Sequence, residues 1–140
     1  MKKILLLLLF AGFVAVSAWL IYPFALKSAF SVSGSAEITP ELSDRAKRAN
    51  TMLFVVAKNE GGVPVAVKKI INPVFPQRFH MTPSDLVLPD VLTRRVYLEA
   101  YLNSHGELGE FRNGDLKGSA KEPFFIYSSK AHILIDTPAK

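Results

Sequence analysis

A chain of 140 residues has room for one domain and little more. It has no cysteine, which excludes a structural disulfide, a thiol nucleophile, covalent haem attachment and Cys-ligated zinc. Its 17 basic and 12 acidic residues give a formal charge of +5; the basic runs are short and interspersed with acids, a mild bias and not a nucleic-acid footprint.

The first element is apolar. After Lys2 and Lys3, residues 4–22 contain no charge. As a helix they would measure roughly 28 Å, close to the hydrocarbon thickness of a bilayer. Trp19 and Tyr22 lie at the far end, where amphipathic rings favour the interface, and the two lysines favour the cytoplasmic side. Residues 1–23 are therefore predicted to be a transmembrane anchor inserted N-in. A cleaved signal peptide is the competing reading, because "VSA" ending at Ala18 is an acceptable small-residue cleavage site. Residues 24–30 ("FALKSAF") read as a short tether.

Residues 31–38 alternate loosely and read as a first strand, with Gly34 as its weak point. Thr39, Pro40 and Glu41 then suit an N-cap and first turn, predicting one or two helical turns. "TMLFVVAK" (51–58) is β-branched and aromatic throughout, the pattern of a strand buried on both faces. A Gly-rich turn separates it from "VAVKKII" (65–71), so the two runs form a hairpin. "NPVFPQ" breaks the pattern with two prolines. "RFHMT" (78–82) is a short strand with Phe79 and Met81 on one face.

"RRVYLEAYLN" (94–103) divides by a period of two. Val96, Leu98, Ala100 and Leu102 fall on one face, and Tyr97, Glu99, Tyr101 and Asn103 on the other. The polar stretch that follows reads as a long loop or irregular hairpin, and "AHILID" (131–136) as a last strand. Six or seven short strands with turn signals between them predict an antiparallel sandwich or barrel.

The chemistry-bearing residues are sparse. His80, His105 and His132 lie 25 and 27 residues apart, without the close pairing of metal motifs. His80 and Met81 are the candidate ligands for copper, although strand neighbours point to opposite faces. His105, in "NSHG", reads as a turn residue and not a base, since no G-x-S-x-G elbow accompanies it. "NGDLKG" has only Asp115 where a calcium loop needs acids at alternating positions. Tyr97 and Tyr101, with Phe124, Phe125 and Tyr127, either line a peptide groove or cover a small core. No constellation for catalysis is found, so the chain is expected not to be an enzyme.

Several stretches occur in a telling order: "SGSAEITPEL", "TMLFVVAKNEGGVPVAVKKI", "FPQRFHMTPSD", "VYLEAYLNSHG", "GDLKGSA" and "HILID". Together they resemble the C-terminal periplasmic domain of cytochrome c biogenesis protein H, over roughly residues 33–136. The resemblance implies an all-β, immunoglobulin-like β-sandwich over residues 31–140. It implies a role in cytochrome c maturation, and it makes Gly114, Asp115, Leu116 and Gly118 a structural turn. Larger family members hold apocytochrome chiefly through a TPR domain, which has no counterpart in these residues.

The expected protein is a single-pass inner-membrane protein with a periplasmic Ig-like domain. It would bind protein partners, apocytochrome c or haem-ligation components, as an accessory in c-type cytochrome biogenesis or respiratory complex assembly. It would use no cofactor and no nucleic acid. The alternative is a small periplasmic copper- or ligand-binding β-domain built on His80 and Met81.

Overall fold

The computed structural model describes residues 1–139. Helix α1 (Lys2–Ser28) leads, and its 27 residues carry no buried side chain. It measures about 40 Å and is long and apolar enough to cross a membrane, with a mean hydropathy of 2.7 over an 18-residue window. The β-domain follows as β1 (Val32–Ile38), a 3-10 turn (Pro40–Leu42) with the one-turn helix α2 (Ser43–Ala46), β2 (Met52–Lys58), β3 (Pro64–Ile71) and β4 (Gln77–Met81). After two further 3-10 turns come β5 (Arg95–Asn103), β6 (Leu116–Ser119), β7 (Phe124–Phe125) and β8 (Ala131–Pro138).

The all-β expectation holds for the domain, but its layout differs from two antiparallel layers. The strands follow one hydrogen-bonded path, β3-β2-β5-β6-β8-β1-β4, with β7 paired to β5. The end strands β3 and β4 touch each other, so the sheet curls into a nearly closed barrel. Pairing is antiparallel except between β1 and β8, which run parallel with Ala36 opposite Ile133. A sheet that curls on itself encloses a core with one inward face, and closure leaves little edge to protect.

That core is where the alternating pattern placed it. Val96, Leu98, Ala100 and Leu102 of β5 are all buried, as are Phe79 and Met81 of β4. Residues 53–57 of β2 are buried on both faces. Their inner set joins the core. Phe54 and Val56 face outwards beneath Tyr101, which pairs with Phe54, and beneath the 104–115 loop, where Leu108 and Phe111 share a pocket with Val56.

Two strands were illegible or looked weak. Gly34 is a weak point in the pattern of β1, yet a Cβ there would lie 2.1 Å from the Ala131 carbonyl oxygen. β6 lies inside a stretch read as loop, because Lys117, Gly118 and Ser119 are poor strand formers. It forms because β5 and β8 supply partners on both sides. Gly118 passes so close to Leu134 that a Cβ would sit 2.0 Å from its carbonyl oxygen.

The stretch 24–30, read as a tether, is also different. Helix α1 continues through it to Ser28 because its last turn has tertiary partners. Leu26 packs against the core, Lys27 Nζ pairs with Asp90 Oδ1 at 2.8 Å, and Phe30 is fully buried.

Candidate functional site

His80 and Met81 are adjacent on β4 and point to opposite faces. Met81 is wholly buried in the core, while His80 is exposed and its Nδ1 shares a hydrogen bond with the Ser33 hydroxyl. The two never converge on one point, and among the described residues no three His, Cys, Asp or Glu side chains group around a common centre.

His105 pins a loop. Its Nε2 lies 2.6 Å from Asp115 Oδ2, and its Nδ1 accepts the Glu107 N–H at 3.2 Å. A neutral imidazole protonated on Nε2 satisfies both contacts at once. The same Asp115 oxygen accepts the Arg112 N–H at 2.9 Å, and Asp115 is only 5 % exposed. Asn103 closes the other end: its Oδ1 accepts the Gly106 N–H and its Nδ2 donates to the Glu107 carbonyl. Gly106 has φ +76°, which favours glycine. These bonds fold residues 104–115 back over the outer face of the sheet.

Tyr97 and Tyr101 share that outer face. Tyr97 is exposed and lies opposite Lys58 across the β2–β5 pair. Tyr101 is half-buried and donates its hydroxyl to Glu99, which also holds Lys58 Nζ at 2.8 Å. Burial raises the Glu99 carboxyl, but the hydrogen bonds from Lys58 and Tyr101 and the nearby positive charge outweigh it, and the group titrates below its ordinary range. Burial, with the Glu99 bond and charge, pushes Tyr101 up to about 12. Leu108 and Phe111 of the pinned loop reach over the same face, and with Tyr101 and Val56 they line a pocket of about 330 Å³. Lys117 Nζ lies 5.6 Å from the Phe111 ring centre.

A second concavity lies elsewhere, at the end of the domain remote from α1. A groove of about 690 Å³ runs between the end of β1, helix α2 and the 72–76 loop. Ile38, Ala46, Ala49, Val74, Phe75 and Pro76 line it, and Glu37 and Lys47 are its charged members. Val74 is 78 % exposed. By pattern alone "NPVFPQ" is only a break between strands. The available signal was an apolar pair held between two prolines, a composition that neither extends a strand nor solvates a loop.

These concavities lie on a β-domain joined directly to a long apolar helix. Comparison with known proteins identifies the β-domain. The family model of the cytochrome c-type biogenesis protein H Ig-like domain matches residues 32–136. A protein of Aquifex aeolicus (strain VF5), described as "Uncharacterized protein", is 30% identical over 92 residues, covering 64% of this chain and 61% of that relative. No solved structure matches. The family match runs from the first residue of β1 into the last strand, and the chain belongs to the cytochrome c-type biogenesis protein H Ig-like domain family.

Proposed function

We propose that this chain is a membrane-anchored accessory domain of cytochrome c maturation that acts by holding a polypeptide client, without a chemical step of its own. Family membership over residues 32–136 is the observation that carries the reading. Helix α1 supports the anchor: residues 4–22 are uncharged and none of its side chains is buried in the protein. In a bilayer with Lys2 and Lys3 on the cytoplasmic side, the β-domain stands in the bacterial periplasm. Tethering raises its effective concentration near other membrane-bound assembly components.

The distal groove is the client surface in this reading. It has an apolar floor, and it is open enough to admit an extended segment. An unfolded, haem-free cytochrome exposes the apolar side chains such a groove accepts, whereas the folded holoprotein buries them. Photo-crosslinkers placed at Val74 and at Tyr97 of the full chain in nanodiscs test the assignment. Crosslinking of a haem-free c-type cytochrome from Val74, absent with the holoprotein, is the expected result. No adduct with cytochrome or haem-ligation components from either position would sink the proposal.

A further inference from the structure

This inference rests on the membrane-anchored reading above and concerns the opposite end of the domain. Helix α1 does not end in a free linker. Lys27 is paired with Asp90, Phe30 is in the core, and the Ser31 N–H donates to the Ile126 carbonyl at 2.6 Å. The domain therefore has one orientation relative to the helix axis.

That orientation sets a depth. If residues 4–22 fill the hydrocarbon layer, Tyr22 lies at its boundary. Leu26 is four residues, about 6 Å, further out. The headgroup layer of one leaflet is itself about 5–7 Å thick. Tyr22 and Leu26 line a common pocket with Arg94, Arg95 and Phe125, so these domain residues fall within the headgroup layer.

The side chains at that level suit such a place. Phe125 and Tyr127 are 46% and 61% exposed, and their rings stack with centres 5.4 Å apart. They must project, because Ile126 between them is buried and its backbone is bonded to both Ser31 and Arg94. The charges nearby are mostly spoken for: Lys27 by Asp90, and Arg95 by Glu60 at 3.1 Å. Arg94 is exposed and has no acidic partner among the described residues. A stacked aromatic pair beside an unpaired arginine matches the interfacial zone, which accepts amphipathic rings and presents phosphate oxygens.

We propose that Phe125, Tyr127 and Arg94 form a floor that docks into the phospholipid headgroup layer of the same bilayer that holds α1. The consequence is a domain seated on the membrane and not swinging from it. β1 rises from this floor to the distal groove, and its seven residues span about 20 Å. The groove is then presented at a fixed height, facing away from the lipid.

The single tryptophan, Trp19, makes the test direct. The full chain is reconstituted in vesicles of phosphatidylcholine and phosphatidylglycerol with brominated acyl chains. Native Trp19 reports helix insertion. In a Trp19→Phe background, Tyr127→Trp reports the floor and Val74→Trp the distal end. Quenching of Tyr127→Trp severalfold stronger than that of Val74→Trp is expected, and it should fall severalfold on adding Phe125→Ser and Arg94→Ser. If Trp19 is quenched while Tyr127→Trp is no more quenched than Val74→Trp, the floor is overturned and the anchor stands. If Trp19 itself is not quenched, the anchor fails and the floor with it.

Discussion

Helix α1 and strand β5 are both rich in apolar residues, and the structure treats them in opposite ways. β5 alternates, so one face enters the core while the other carries Tyr97, Glu99 and Tyr101. α1 is apolar on every face, and none of its 27 residues is buried by the protein. A period-two pattern lets a strand supply one wall of a core and remain wet on the other side. An all-round apolar helix finds no such compromise and needs a surrounding apolar phase.

The contrast can be broken from either side. Leu98→Ala empties part of the core, since Leu98 is 1% exposed. A loss of about 2–5 kcal/mol is expected in denaturant unfolding of the full chain in detergent, with the helix unaffected. Val14→Arg attacks the other region. It should cost about 2.5–3.5 kcal/mol of membrane insertion, seen as extractable protein on fractionation, while the β-domain keeps its unfolding midpoint. Were both variants to destabilise the same transition, helix and domain would be a single soluble unit.

Smaller effects sharpen the account of the sheet. Gly118→Ala places a methyl group against the β8 backbone, so a loss of about 1–3 kcal/mol is expected, measured by the same unfolding experiment. The outer face of β5 should respond to alkali. Because Tyr101 is raised to about 12 in the folded chain, the unfolded chain releases its proton first, from about pH 10. Stability from this group is complete below about pH 10 and is lost as pH rises towards about 12. Phenolate absorbance should include a late-titrating component that Tyr101→Phe removes, and the same substitution should flatten that part of the stability profile.

Much of the fold could be read beforehand where local pattern and tertiary role coincide. β2, β3, β5 and β8 announced themselves through β-branched runs or strict alternation. β6 did not, because its strand state comes from neighbours on both sides and not from Lys117, Gly118 or Ser119. The candidate surfaces were less legible still. Pattern leaves Tyr101 either lining a groove or covering the core; in the fold it is half-buried with its hydroxyl donated to Glu99. Val74 and Phe75 have the pattern of loop residues, although they line the distal groove. A groove is made by elements far apart in the chain, here β1, α2 and the 72–76 loop, and periodicity within any one of them carries no trace of it.

Composition and pattern alone determined an apolar N-terminal helix, a β-domain and the inward face of its strands, because each follows from which side chains water rejects at a spacing of 3.6 or 2 residues. The curled single sheet, the parallel β1–β8 pair, the closeness of Gly34 and Gly118 to a neighbouring backbone and the seating of the domain on the end of α1 were decided only in three dimensions. They depend on which segments meet, and that is settled by packing and backbone pairing between residues up to a hundred positions apart, such as Ala36 and Ile133.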